Sequence, residues 1–139
     1  MSTRAQIRFA TREDGVSFSE HPDKIHAQFY RHTDGYPEGL GLDIAHSLHK
    51  RTHPDGRAWE IESLTAKHGD LEYIYYIWQK EDDDTWISIF EDNSFPGYRD
   101  DVVQLLPSKL DKCIFVGKPN DLITKYGSQL DESYYKLNT

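Results

Sequence analysis

The stretch Leu71 to Gln79, Leu-Glu-Tyr-Ile-Tyr-Tyr-Ile-Trp-Gln, limits the fold more than any other part of the chain. Tyrosine, isoleucine and tryptophan fill it, and all three favour extended backbone. A strand turns alternate side chains to opposite faces, and beyond Glu72 neither face here is polar. Such a strand has to be covered on both sides, or one side has to lie in an interface, which makes a homodimer the expected oligomer. The acidic turn Glu81-Asp82-Asp83-Asp84 leads on to Trp86-Ile87-Ser88-Ile89-Phe90. The two apolar runs predict a β-hairpin with a longer loop.

Earlier in the chain the pattern is a strict alternation. Ala5, Ile7 and Phe9 face one way and Arg4, Gln6 and Arg8 the other, as in a half-buried strand. After a turn at Asp14-Gly15, or a longer loop reaching Pro22, the alternation returns. Ile25, Ala27 and Phe29 oppose Lys24, His26, Gln28 and Tyr30. Two adjacent strands with matching faces predict an antiparallel pair. Its polar face carries Arg4, Arg8, Lys24 and His26, and is expected to be either solvated or turned to a ligand.

The segment from Tyr30 to Gly41 reads as a shaped loop. Asp34-Gly35 signals a turn, Gly35, Gly39 and Gly41 supply backbone freedom, and Pro37 restricts Tyr36 to extended conformations. Leu40, Ile44 and Leu48 then recur at helical spacing up to Lys50, with Asp43 in the first turn. Residues 58–66 fit a strand better than a short helix. Residues 91–100 form a polar loop with Asn93 and Arg99. Val102 to Leu106 is a short run ending at Pro107. Cys113-Ile114-Phe115-Val116 reads as a central strand with a buried, inert cysteine. Pro119 suits the first position of a short helix whose Leu122, Ile123 and Tyr126 face the core, and Tyr134-Tyr135 close the chain.

The 139 residues are expected to form one α+β domain: an antiparallel sheet of about five strands, one main helix after the central loop and a short helix near the carboxyl terminus. The formal net charge of −8 argues against nonspecific nucleic-acid binding. Residues 58–139 carry all of it, with sixteen acidic residues against eight basic ones, while residues 1–57 are balanced at eight of each. An anionic ligand suits the first part; the acidic second part suits a basic protein surface. No apolar run approaches the roughly 20 residues of a membrane span, and no leader-like segment is present, so a cytoplasmic, membrane-free protein is expected.

No catalytic motif stands out. His46, His49 and His53 share helical spacing, but no carboxylate or thiolate completes a zinc pattern, and neither a metal nor a cofactor is expected. Arg31, His32, Asp34 and Glu38 surround the central loop. Arg31 suits a phosphate or carboxylate, and His32 with Asp34 would make an acid–base pair if within hydrogen-bond reach. The structural alternative has Asp34 shaping the turn and His32 bonding the loop backbone. Trp86 and Phe90 on a sheet, with Asn93 and Arg99 beyond, suit a stacked base and its phosphates, or simply a core.

The segment His32-Thr33-Asp34-Gly35-Tyr36-Pro37-Glu38-Gly39 resembles a motif of small bacteriophage and prophage proteins. The likeness extends to Thr3-Arg4-Ala5 and to His68-Gly69-Asp70-Leu71-Glu72-Tyr73, with Thr33 departing from the aromatic usual at its position. In size and build the chain also looks similar to anti-defence proteins of the Thoeris class. The resemblance implies a protein of the host cytoplasm that counters host defence by occupying a host protein or by sequestering a signalling nucleotide.

These readings converge on a noncatalytic binding protein for a small anionic ligand, a nucleotide. Arg4, Arg8 and Arg31 are expected to meet phosphates, Trp86 or Phe90 to stack a base, and His32, Asp34, Tyr36, Glu38, Asn93 and Arg99 to complete the site. The alternatives are an acidic interaction module that inhibits a host protein, and a small hydrolase using His32 and Asp34.

Overall fold

A computed structural model of the chain describes residues 3–11, 24–50, 59–64, 66, 68, 71–79, 84–92 and 111–127, without the side chains of His49, Lys50, Asp92 and Asp111. The expected turn at Asp14-Gly15, the run 102–106, His53, Asn93, Arg99 and the tail tyrosines lie outside the described residues.

The alternating segments become β1 (Ala5–Thr11) and β2 (Lys24–Arg31), paired antiparallel with Ile7 opposite Phe29. The register shifts between Phe9 and Ala10, so Ile25 pairs with Ala10. The bulge sends Ile25 to the sheet face opposite Ala27 and Phe29, which a strict alternation could not foresee. Residues 58–66 do contain a strand, β3 (Trp59–Glu62), lying antiparallel to β2. The apolar run is β4 (Tyr73–Gln79), and its hairpin partner is β5 (Thr85–Asp92), with Trp78 opposite Trp86. The last strand is β6 (Asp111–Gly117), antiparallel to β5.

Among the described residues the sheet has six strands in the order β3-β2-β1-β4-β5-β6. It is mixed, not antiparallel as expected, because β4 lies parallel beside β1, with Ala5 opposite Tyr73 and Thr11 opposite Gln79. Parallel neighbours need a long crossover, and the chain between β1 and β4 supplies one that carries β2, a helix and β3. A second correction concerns β6, which is the outer strand and not a central one. Cys113 is accordingly exposed, although its thiol points back to the Phe115 carbonyl at 3.6 Å and local burial pushes its pKa up.

A π-helical turn (Pro37–Gly41) opens into α1 (Leu42–Lys50), and α2 (Pro119–Gly127) starts at the proline that can spare its N–H. Both helices pack on one face of the sheet. Leu40, Leu42, Ile44, Ala45, Leu122 and Tyr126 meet Ala5, Ile7, Tyr75, Ile77, Ile87 and Ile89 there. Each of the leucines and isoleucines taken fully out of water contributes about 1.5–3 kcal/mol. The opposite face holds a second buried cluster of Tyr30, Ile74, Tyr76, Trp78 and Phe90. Strand β4 is therefore buried on both sides within the chain, so its apolar character needs no second copy.

Burial of the tyrosines has a pH consequence. The Tyr126 phenol is pushed up from its ordinary 10.0 to about 12, first by burial and then by the nearby Glu38 carboxylate. A phenol that stays neutral in the folded state but ionises in the unfolded one contributes stability that is complete below pH 10 and is lost as pH rises toward about 12. Tyr126→Phe is expected to flatten the fall of the urea midpoint across that window. An unchanged slope would show that the ring reaches water.

Candidate functional site

The central loop is built into the fold. Asp34 takes φ 55°, a left-handed conformation that Asp tolerates better than most residues. Its carbonyl accepts the Leu40 N–H at 3.1 Å, and Gly39 N–H donates to Tyr36 O at 2.9 Å. Gly35 is pressed against the start of β1. Its N–H donates to Thr3 O at 3.0 Å, and its carbonyl accepts the buried Tyr75 hydroxyl at 2.6 Å. These bonds fix where α1 begins. They also use the loop backbone as a structural part, the alternative the sequence left open for Asp34.

Arg31 and His32 flank the loop on different sides. Arg31 donates from Nε to Thr33 O at 2.8 Å and reaches Asp43 of α1 at 3.8 Å, on the helix-covered side. His32 meets Glu60 of β3 at 3.0 Å, so its carboxylate partner is Glu60 and not Asp34. Its ring also lies edge-on to Tyr30, with centroids 4.5 Å apart.

Around Arg8 the polar face of β1 and β2 is neither solvated nor open, whereas Lys24 and His26, at the bulged end, are exposed. Gln6, Arg8 and Gln28 are 2%, 4% and 0% exposed. Arg8 donates from Nε to Gln28 Oε1 at 2.7 Å, from Nη2 to Gln6 Oε1 at 3.1 Å and from Nη1 to the Tyr76 hydroxyl at 2.7 Å. Both glutamines then turn their amide nitrogens to Glu62 Oε1, at 2.8 Å from Gln6 and 3.1 Å from Gln28. The cation and the carboxylate are thus joined by two amides with the same polarity, oxygens toward Arg8 and nitrogens toward Glu62. Flipping either amide would aim N–H groups at the guanidinium, so the two charges set the orientation. Glu62 Oε2 takes His68 at 2.7 Å, and the His68 ring stacks on Tyr30 at 3.7 Å and 4°. Burial raises the Tyr30 pKa, with Arg4 opposing the rise. Glu62, His68 and the two glutamines escaped the sequence reading. The available signal was a glutamine beside the arginine on each of two paired strands.

The residues expected to share one ligand are divided by the sheet. Arg31 and Glu38 lie on the helix-covered side, while Arg8 and Phe90 belong to the opposite face, where Phe90 is buried edge-on against Tyr76. Trp86 packs on Trp78, opposite the level of Ala10, and a strand rising ~3.3 Å per residue puts it about 20 Å along the sheet from Arg4. Tyr36 is 38% exposed at the central loop. No single small ligand spans these positions.

One cleft does open among the described residues, with a volume of about 300 Å³. It lies at the carboxyl ends of the parallel pair β1 and β4. Phe9, Leu48, Ile77 and Trp78 line it with apolar surface, and His26, Gln79 and Thr85 bring polar groups to it. His26 Nε2 lies 2.7 Å from the Thr11 hydroxyl, which steadies the imidazole. Lys24, also exposed, pairs with Thr11 at the same end of the sheet. Of these, the sequence reading singled out Lys24 and His26 as polar-face residues and missed the cleft, because the pairing of β1 with β4 creates it.

No described helix is long and apolar enough to cross a membrane. No protein-family model, no curated protein and no solved structure matches the chain.

Proposed function

We propose that this protein is a noncatalytic binding protein that holds a small, flat, anionic ligand in the cleft at the carboxyl ends of β1 and β4. The observation that carries the reading is the cleft itself. A hollow of about 300 Å³ with an aromatic and aliphatic lining and a few converging polar groups is the usual form of a small-molecule site. In open α/β sheets ligands gather beyond the strands' carboxyl ends, and the parallel pair of this sheet, β1 with β4, offers a crevice in the same place. Phe9 offers an aromatic surface for a planar ring, His26 a polar contact, and Lys24, at the same end of the sheet, a cation for its anion. A nucleotide satisfies both demands. Sequestering a signalling nucleotide is also the role that the phage resemblance implies. The binding reading is preferred to a hydrolase built on His32 and Asp34 because His32 is engaged by Glu60.

Native mass spectrometry after incubation with a panel of nucleotides tests it. One equivalent of an unmodified nucleotide is expected to be retained, and Thr85→Trp, which places an indole in the mouth of the cleft, is expected to weaken retention about tenfold or more. Conversion to product would transfer the case to the hydrolase, and retention unaffected by Thr85→Trp would move the site elsewhere.

A further inference from the structure

Among the described residues, Ile61 is the large aliphatic side chain that stands in water, at 77% exposure. It lies in the middle of β3, which among the described residues is a terminal strand of the sheet and pairs with β2 alone. The outer side of a terminal strand presents unpaired N–H and C=O groups and is a template for another strand. Natural edges are blunted by proline, lysine or a bulge, or by shortness and charge. Trp59-Glu60-Ile61-Glu62 has no proline, lysine or register shift; its guards are its four-residue length and its two carboxylates, which repel an acidic strand and accept a basic one. The strand is also held firmly. Glu62 is tied to Gln6, Gln28 and His68, and the Trp59 ring packs against Phe9 and Phe29. The edge is presented as a rigid rail.

Charge decides what can pair with it. A second copy joining antiparallel about a two-fold axis keeps the sheet faces aligned. Centred on Ile61 the pairing opposes Glu60 to Glu62, and centred on Glu60 or Glu62 it opposes that glutamate to itself. Each of these registers sets carboxylate against carboxylate, which is unfavourable for directly opposed residues. Glu60 has a side chain 64% exposed, and the whole chain carries −8.

We propose that the outer edge of β3 is a docking rail for a strand of another protein in which basic and apolar residues alternate. The partner strand would extend the sheet by main-chain hydrogen bonds, set a Lys or Arg beside Glu60 and cover Ile61 with an apolar side chain. This proposal is independent of the cleft, whose lining residues include none from β3.

The test uses the whole chain and a fluorescent peptide of about nine residues, the length of a long strand, alternating Lys and Val. The Lys–Val peptide is expected to bind at least about tenfold more tightly than a Glu–Val peptide or a Lys–Val peptide with a central proline. Exchange of the Ile61 amide or its neighbours is expected to slow in the complex. Glu60→Lys, a change at an exposed side chain, is expected to reverse the preference toward the Glu–Val peptide. Equal binding of the proline-containing and uninterrupted peptides, a preference unchanged in Glu60→Lys, or a homodimer dissociated by Ile61→Lys would each overturn the proposal.

Discussion

Replacing Arg8 with methionine is expected to cost about 3–5 kcal/mol of folding stability, the scale found when one partner of a buried charged network is removed. The guanidinium satisfies Gln6 Oε1, Gln28 Oε1 and the Tyr76 hydroxyl, and Met satisfies none of them. The two glutamines would then hold their amides toward Glu62 with their oxygens buried and unmatched. Each buried acceptor left without a donor costs about 1–3 kcal/mol. Arg8→Lys keeps the charge but has no planar fork to reach three acceptors on three strands, so it is expected to recover only part of the loss. Against a total stability of about 5–15 kcal/mol, the methionine variant would be close to unfolding. Urea unfolding of the three proteins measures it. A loss below about 1 kcal/mol would place the guanidinium in water, contrary to its 4% exposure.

Gly35→Val is expected to cost about 3 kcal/mol, at the upper end of what an overpacked site loses. A Cβ at position 35 would lie 2.8 Å from Ala5 Cβ, 3.1 Å from Thr3 O and 3.2 Å from Ala5 N. None of these is the end of a flexible side chain that could swing away. Relief would require the loop to lift from β1, which would break the bonds from Gly35 N–H to Thr3 O and from Tyr75 to Gly35 O. The start of α1 would move with it. Gly41→Ala is the useful contrast, because a Cβ there meets its neighbours at ordinary distances of 3.5 Å and beyond. A thermal melt in which Gly35→Val matches the parent chain would show that the central loop does not rest on β1.

The local elements were legible because each rests on local chemistry. Alternation marked β1 and β2, helical spacing from Leu40 marked α1, and Pro119 marked the start of α2. The β4–β5 hairpin followed from two runs of strand-forming residues around an acidic turn. The neighbour of β1 was not legible. Alternation states which face a residue occupies and is silent on which distant strand lies beside it, so the parallel pair and the cleft at its end came only with the tertiary structure. Arg8 shares its face with Gln6 and Gln28, but the bulge after Phe9 takes Lys24 off it, which alternation alone does not reveal, and polar is not the same as solvent or ligand. Gln6, Gln28 and Glu62 supply what Arg8 needs in order to be buried. The arginines expected to gather around one phosphate fell on two faces because Arg31 and Arg8 differ in strand parity, Arg31 pairing with Ala5 and Arg8 with Gln28.

The cleft is the central claim, and backbone amide NMR during titration with an anionic aromatic probe, 8-anilinonaphthalene-1-sulfonate, tests it most directly. Saturable shifts at one equivalent are expected at Ala10, Thr11, Trp78 and Gln79, at the carboxyl ends of β1 and β4, with Ala5 and Tyr73 at the other end of the same strands unmoved. Shifts centred on His32 to Glu38, or no saturable shift at the cleft, would contradict the account.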